Sequence, residues 1–446
     1  MHSATSHLNE RPTNVRWLVF WLASGTSCLL YLHRYTWGIL KPIVGDEFGW
    51  DNTTRGWLDS AFQISYAGGQ IPGGMLGDWF GPRIVLGIII LVWSLSMGGM
   101  VLAPGFRSLA WVRLCFGLAQ SSCYPNLNKV TRVWFPLSER TAVQGWVASF
   151  FGRMGGAASF VFFGTVMLGE WQLPWRIALA WLTGIGCAFA AVFLLFFRNT
   201  PRTHPWVNAA EAEMITLGDS AAQAATRSRI DWKVVFRSRV VWALLFQQFT
   251  CAFVDNFFSG WLPQFLAQAK HVTVTNTGWM AAVPLVGGAI GGLVAGGLLQ
   301  SWLIRKTGNR RWSRSGIGLT GNLMAGVCLI ISLAFDDPVK IIGAFFCLKF
   351  FADWAQPACW AAITDMTGRN SASLFALVNT SGSLAGFVAG PVMGYTIDFF
   401  GNSPGNGSTG VPAGWTALFV MIGIVYIASA LSWLFIDCTQ TVDSAA

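Results

Sequence analysis

Charge is scarce in this sequence. Only 11% of its 446 residues are charged and 53% are hydrophobic, whereas soluble domains carry about 25% charged residues. The nine cysteines include no Cys-x-x-Cys pair, so they indicate neither a disulfide framework nor a metal site and are interpreted as small apolar residues. The shortage of charge excludes an ordinary soluble domain and predicts an integral membrane protein.

The formal net charge of +9 does not indicate a nucleic-acid partner. The cations stand in short stretches between apolar segments, which is the pattern that sets membrane topology. The first apolar run, from Trp17, has no small-residue cleavage site, so it predicts a membrane helix rather than a signal peptide. The sequence shows no nucleophile–base set, metal-ligand cluster or phosphate-cradling loop, so it predicts neither an enzyme nor a cofactor.

Apolar runs of spanning length recur along the chain, and several are interrupted by one polar residue. We count twelve and predict an all-α integral membrane protein. The expected helices are 16–40, 55–77, 83–103, 106–128, 141–169, 174–197, 238–268, 275–304, 313–335, 338–366, 370–400 and 413–436.

The longest polar stretch, Arg198–Arg239, divides these helices into two sets of six and indicates an internal duplication. Its Asn208–Leu217 portion is expected to form an amphipathic surface helix. Most lysines and arginines outside the helices lie on the side of the termini and the central loop, which predicts that both termini are cytoplasmic. The expected location is a plasma (bacterial inner) membrane. The predicted regions are a tail at 1–15, bundles at 16–197 and 238–436, a central loop at 198–237 and a tail at 437–446.

Four cations lie well inside the predicted helices, away from their ends: Arg34, Arg113, Arg153 and Lys349. A charge near the bilayer centre costs roughly 2.5–3.5 kcal/mol on insertion scales, so it is rarely without a role. Lys349 and Asp353 stand one turn apart, and an intrahelical pair would neutralise both. The remaining three arginines would then exceed Asp255 by two charges, which favours an interior that attracts anions.

The segment Gly73-Gly-Met-Leu-Gly-Asp-Trp-Phe-Gly-Pro-Arg83 resembles the loop after the second helix in the major facilitator superfamily. The usual Asp-Arg pair is Asp78-Trp79 here, so the arginine's gating contact is missing, and the cognate loop of the second half has Gln300 in place of the acid. The resemblance implies two pseudo-symmetric six-helix bundles that transport a solute by alternating access.

Four further stretches resemble the anion:cation symporter family within that superfamily: Ser60–Gly74, Trp134–Arg140, Asn199–Trp206 and Trp261–Pro263. This resemblance implies a small organic anion as cargo, a sugar acid or another carboxylate, commonly moved with protons. The spacing from Tyr31 to Pro42 also resembles organophosphate:phosphate antiporters, so exchange of phosphate esters, dicarboxylates or sulfonates stays an alternative. A second alternative is a membrane sensor that does not transport a solute.

The same resemblance assigns a substrate-binding role to Arg34, whose guanidinium suits a carboxylate because its planar fork binds bidentately. Tyr66, Asn256 and Asn379 match positions that line the family's binding site. Arg153 stands where one branch has a substrate-facing glutamine. Each arginine has a structural alternative, an ion pair between helices, with Asp353 or Asp255 as the partner of Arg153.

Coupling and gating residues are expected at His33, Asp59, Asp78, Arg113, Gln120 and Asp255. Arg113 matches a charge-relay arginine of the family, but the proton-carrying acid one heptad later is Gln120, which cannot titrate. His33 replaces another family acid. Asp59 occupies the position of a histidine in one branch of the family, but its place near a helix end favours a solvated acid, whereas Asp255 fits a functional role and an ion pair equally. The expected partners are the anion, protons or a counter-anion, and the lipid bilayer, with the protein a monomer.

Overall fold

The computed structural model describes residues 11–216, 232–367, 371–401 and 411–439. Its regular structure there is almost wholly helical, as the apolar runs predict. The α-helices are Val15–Phe48, Asn52–Val101, Phe106–Ser121, Cys123–Trp134, Leu137–Gly145, Phe151–Ser159, Trp175–Phe196, Ala209–Thr216, Trp232–Arg237, Arg239–Asn256, Leu262–Gln268, Val274–Leu293, Gln300–Thr307, Arg310–Ser332, Pro338–Ala352, Ala355–Thr367, Ser371–Phe400 and Ala413–Ser432. Three π-helical stretches join neighbouring α-helices, Trp146–Phe150, Phe257–Trp261 and Val294–Leu299, and a fourth, Phe160–Glu170, continues Phe151–Ser159 to its end.

The continuous segment Asn52–Val101 contains two of the predicted spans. Its 50 residues would extend about 75 Å at 1.5 Å per residue, well beyond a hydrocarbon core of about 30 Å. Gly81 breaks the helix with φ of 78° and ψ of 154°, and Pro82 follows it. A side chain at Gly81 would also meet Asn199, so glycine is required at this turn for both reasons.

The central loop begins with a helix that fixes the start of the first membrane helix. This loop helix, Ala209–Thr216, corresponds to the predicted surface helix. Its Glu211 is fully buried and its carboxylate accepts hydrogen bonds from the backbone N–H groups of Val15 and Arg16, each at 3.0 Å. These are the first N–H groups of the helix, which have no partner within it. Glu211 therefore caps Val15–Phe48 from nearly 200 residues away in sequence.

The chain forms two compact units that do not coincide with the two sequence halves. The described part of the first unit is 11–34, 65–155 and 176–216. The second unit combines 35–64 and 156–175 with the described residues from 232 onwards. The second unit therefore contains helix ends from both sequence halves.

Glycine and polar contacts join these helix ends inside the second unit. Gly56 and Gly390 approach so closely that a Cβ on either would collide with the other's backbone. Asp398 accepts hydrogen bonds from the backbone N–H groups of Asn52 at 3.3 Å and Thr53 at 2.7 Å. Because the first half of Asn52–Val101 packs against Ser371–Phe400 in this way, it clusters with the second sequence half.

Candidate functional site

The guanidinium of Arg34 is held by neutral groups in the first unit. Its Nε donates a 3.0 Å hydrogen bond to Oε1 of Gln120. Its Cζ lies 4.5 Å from the ring centroid of Tyr66 and 5.1 Å from that of Tyr31. These contacts fix the planar group without cancelling its charge, since cation–π contacts and amide hydrogen bonds involve no opposite charge. The residue as a whole is half-buried and its Nη2 is enclosed by protein, so the guanidinium is oriented within a confined space.

Gln120 is itself held in a single orientation. It is fully buried, and its Nε2 donates to the carbonyl oxygen of Leu30 at 3.1 Å. Its amide oxygen therefore faces Arg34 and accepts the hydrogen bond from Nε of that arginine. The predicted coupling residue Arg113 is buried on the same helix, Phe106–Ser121, two turns before Gln120.

The predicted fifth membrane helix, 141–169, packs closely against Tyr31 at Gly152. A Cβ on Gly152 would lie 2.9 Å from the Tyr31 ring and 3.2 Å from the hydroxyl of Tyr124, so only glycine allows this approach. Tyr124 is in turn hydrogen-bonded to Ser27 at 2.8 Å. Arg153, the next residue after Gly152, is partly exposed. The structure thus brings the segment that carries Arg153 against Tyr31, one turn before Arg34.

His33 lies in a different environment from its neighbour Arg34. It is 2% exposed, and a Cβ on Gly186 would lie 2.7 Å from its Cε1 and close to Ser94. The Leu182 backbone lies near the ring, but in the described part of the chain neither ring nitrogen makes a hydrogen bond of normal geometry. His33 is therefore packed between helices Asn52–Val101 and Trp175–Phe196.

In the second unit, the expected pair of Lys349 and Asp353 is present and has a third member. The Lys349 ammonium contacts Asp353 at 2.8 Å and Asp255 at 2.5 Å. The Lys349 and Asp353 side chains are 1% and 7% exposed, whereas that of Asp255 is 52% exposed. The ammonium is thus buried, and Asp255 is the exposed member of the triad.

The remaining expected binding residues also lie in the second unit. Asn256 donates to the Ala252 carbonyl at 2.8 Å and accepts from Gln63 at 3.4 Å. Asn379 is partly exposed on Ser371–Phe400, and its carbonyl accepts from Ser383 at 3.3 Å. The Asn256 side-chain oxygen therefore joins a helix of the second sequence half to Gln63 of the first.

Asp59 differs from the expectation of a solvated acid at a helix end. It is 8% exposed, and its two carboxylate oxygens bind Nε1 of Trp37 at 2.6 Å and Nζ of Lys41 at 2.9 Å. Sequence reasoning missed Lys41, which is fully buried in the segment Gly38-Ile-Leu-Lys-Pro. The available signal was a lysine before Pro42 inside an apolar run, eighteen residues from an acid on the next helix.

Asp78 has a lysine partner in place of the missing arginine. Its carboxylate contacts Nζ of Lys129 at 2.5 Å, and the same ammonium donates to the Gly74 carbonyl at 2.8 Å. The Asp78 side chain is 67% exposed, so this pair lies at the surface of the first unit. Lys129, on helix Cys123–Trp134, thus supplies the positive partner of Asp78 that the missing arginine would have provided.

Comparisons with known proteins agree with this architecture. The chain matches the family model of the Major Facilitator Superfamily over residues 22–320 and 244–444. It is 28% identical over 428 residues to a protein of Cupriavidus necator named "Probable sulfoacetate transporter", with 94% of each chain covered. It is also 28% identical to the "Probable galactarate/D-glucarate transporter" of Escherichia coli, covering 95% of this chain and 94% of the relative.

A third relative is the D-galactonate transporter of Escherichia coli, 26% identical with 96% of each chain covered. Among solved structures, a D-xylose–proton symporter superimposes with a TM-score of 0.71 at 16% identity, covering 95% of this chain and 98% of that one. A bacterial homologue of the human lysosomal transporter Spinster gives 0.69 at 17% identity, with 96% of each chain covered. The expected fold is confirmed: the chain belongs to the major facilitator superfamily, a group of multi-pass membrane transporters rather than enzymes.

Proposed function

We propose that this protein is a secondary transporter that moves a small organic anion, a sugar acid or another carboxylate, by alternating access. The observation that carries the proposal is the Arg34 guanidinium inside an apolar helix, oriented by Gln120 and two tyrosine rings. Gln120 binds Nε, and the guanidinium has two further nitrogens in a planar fork. A carboxylate binds such a fork bidentately.

The relatives support the choice of cargo. Sulfoacetate, galactarate, glucarate and galactonate all carry a carboxylate, and three of the four carry a second anionic group. We assign Arg34 and Tyr66 to the first anionic group, and Arg153 to a second one on a dianionic cargo. Asn256 and Asn379 supply hydrogen bonds to hydroxyl groups. The relatives' names do not favour phosphate-ester exchange or a non-transporting sensor.

We propose proton coupling, with Asp255 as the proton acceptor. A coupling proton must be exchanged with water, and Asp255 is half-exposed, while His33 and Asp59 are buried. Gln120 cannot take this part, and Arg113 keeps a relay role on the same helix as Gln120. The Asp78–Lys129 pair serves gating at the surface. The protein acts as a monomer in the bacterial inner membrane with both termini in the cytoplasm, in keeping with the distribution of its cations.

Transport by purified protein in liposomes tests the proposal. The panel is sulfoacetate, glucarate, galactarate, galactonate and a hexuronate, with uncharged xylose as the matched control. We expect uptake of one or more anions and none of xylose, driven by an inward proton gradient and abolished by an uncoupler. Uptake that survives the uncoupler and depends on internal anion would replace symport by exchange, and uptake of xylose alone would exclude an anion carrier.

A further inference from the structure

The second unit contains a buried charge cluster formed by Trp37, Lys41 and Asp59. Lys41 has no exposed side-chain surface, and its Nζ contacts the Asp59 carboxylate at 2.9 Å. The second carboxylate oxygen accepts from Nε1 of Trp37 at 2.6 Å. Trp37 and Lys41 stand one turn apart on Val15–Phe48, and Asp59 is near the start of the next helix, so all three residues belong to the first sequence half.

The cover of this cluster comes from the second sequence half. The Trp261 ring lies over Lys41, with its centroid 3.5 Å from Nζ, and Trp261 is fully buried. A Cβ on Gly260 would lie 3.4 Å from the same Nζ and 3.6 Å from Oδ2 of Asp59. A Cβ on Gly390 would lie 2.9 Å from Cβ of Asp59. Two glycines and an indole face therefore complete the cluster.

We propose that Lys41, Asp59 and Trp261 form a latch that holds this end of the two sequence halves together and must open in each transport cycle. The inference rests on the proposed alternating access, in which the halves separate first at one membrane face and then at the other. Separation at this face takes Trp261 off Lys41 and admits water. Lys41 and Asp59 stay paired, because both belong to the first half.

The latch is reversible because Lys41 and Asp59 stay paired while Trp261 separates from them. A desolvated ion pair is costly to bury, and the indole face returns part of that cost because tryptophan is the best aromatic partner of a cation. Opening restores hydration and loses the cation–π contact, so the two terms oppose each other. Removing Lys41 alone leaves the Asp59 carboxylate buried without its cation, which disfavours the closed arrangement.

The test measures how often this face opens, in nanodiscs, without substrate. Ser60 is 1% exposed, adjacent to Asp59, and its hydroxyl donates to the Phe387 carbonyl of the second half. A Ser60→Cys variant is labelled with a hydrophilic maleimide, and the labelling of the protein without that change is subtracted. Lys41→Met and Trp261→Leu are then added separately. We expect labelling to rise at least tenfold for Lys41→Met and severalfold for Trp261→Leu.

Two conservative changes separate a latch from a general loss of packing. Trp261→Phe keeps an aromatic face and should label within about threefold of the Ser60→Cys parent. Lys41→Met with Asp59→Asn leaves no unpaired charge but loses the cation–π contact, so it should label severalfold faster than the parent, like Trp261→Leu, and more slowly than Lys41→Met. Lys270→Met is the matched control, because Lys270 pairs with Asp336 within the second half at 3.8 Å. It should leave labelling unchanged.

The proposal is overturned if Lys41→Met labels no faster than Lys270→Met, or if the double change at Lys41 and Asp59 labels as fast as Lys41→Met. Labelling needs no cargo, so the outcome is independent of whether the protein carries an anion. A parent that transports none of the anions tested would end the proposed function and leave the latch result readable.

Discussion

Arg34 and Lys41 stand seven residues apart, about two turns, on the same helix, yet their surroundings are opposite in kind. Arg34 is partly exposed and contacts an amide and two tyrosine rings. Lys41 is buried against a carboxylate and an indole. A cation in an apolar helix therefore announces a partner, and the chemistry of that partner decides its use. The amide and the two rings orient Arg34 without opposing its charge, whereas the Asp59 carboxylate neutralises Lys41.

The largest loss of binding and uptake is expected from replacing Arg34. We expect Arg34→Ala to abolish binding and uptake, because losing one partner of a desolvated charge pair costs about 3–5 kcal/mol, or roughly two to four orders of magnitude in affinity. Arg34→Lys should recover only part of the loss, since an ammonium has no planar fork. Calorimetric binding and liposome uptake measure both.

The matched control is Arg305→Ala, because Arg305 lies exposed at the end of Gln300–Thr307 and donates to the Ser301 carbonyl. Its removal should leave uptake unaltered. Size-exclusion profiles must show equal amounts of folded protein for all variants. Normal uptake by folded Arg34→Ala would remove this residue from the binding role.

The Lys349 triad extends the comparison to a cation with two carboxylates. Lys349→Met should destabilise the protein by about 3–5 kcal/mol, because it leaves the buried Asp353 carboxylate without its cation. Asp255→Asn should cost about 1 kcal/mol or less, since Asp255 is half-exposed and water replaces the contact. Thermal unfolding in detergent gives the order of the two variants, and equal shifts would contradict the difference in burial.

Gln120→Glu tests whether the neutral partner of Arg34 matters. An ionised carboxylate there would compete with the cargo for the guanidinium, and a protonated one would not. Affinity should therefore fall as the pH rises from 5 to 8, by about tenfold, or ~1.4 kcal/mol. In the parent protein, Gln120 cannot titrate, so this position should contribute little to the pH dependence of affinity. Gln120→Met, with an uncharged side chain, is expected to bind more weakly but with the parent's pH profile; a sloping profile in Gln120→Met would refute the argument.

The smallest expected effect concerns His204, outside the membrane segments. Burial lowers the pKa of His204 from its ordinary value of 6.5. Its Nδ1 accepts the Trp206 N–H at 3.2 Å, and Nε2 lies 3.1 Å from the Phe196 carbonyl, an arrangement that requires the neutral ring. A lowered pKa means that the unfolded state binds more protons, so this stability is present above pH 6.5 and is lost as the pH falls below it.

Melting temperatures between pH 5 and 7.5 check this sign. His204→Asn keeps an acceptor near the Nδ1 position and should reduce the fall in melting temperature as the pH decreases towards 5. An unchanged slope in the variant would show that other groups cause the acid sensitivity.

Much of the architecture was predictable because lipid imposes simple rules. Apolar runs identified the membrane helices, and the glycine-rich loop around Asp78 identified the superfamily. Arg34 was predictable as well, since a charge in the middle of an apolar run is conspicuous. The loop helix Ala209–Thr216 followed from its alternation of alanine and glutamate.

Long-range partners were not predictable by the same means. Nothing local to Glu211 indicates that it caps Val15–Phe48, and nothing near Lys41 indicates Trp261, more than 200 residues away. Asp59 was treated as solvated because its position suggested a helix end, whereas tertiary packing buries it. Spacing along one helix identifies pairs such as Lys349 and Asp353, but contacts between helices need the fold.

The buried Glu211 carboxylate has a practical consequence for dividing the molecule. A polypeptide cut after Thr216 keeps the acid on the same fragment as the helix whose start it caps. A cut before Asn208 would transfer that acid to the other fragment and leave two backbone amides of Val15–Phe48 without their acceptor. The beginning of the central loop thus belongs physically to the first membrane helix, and reporter domains are best inserted beyond it.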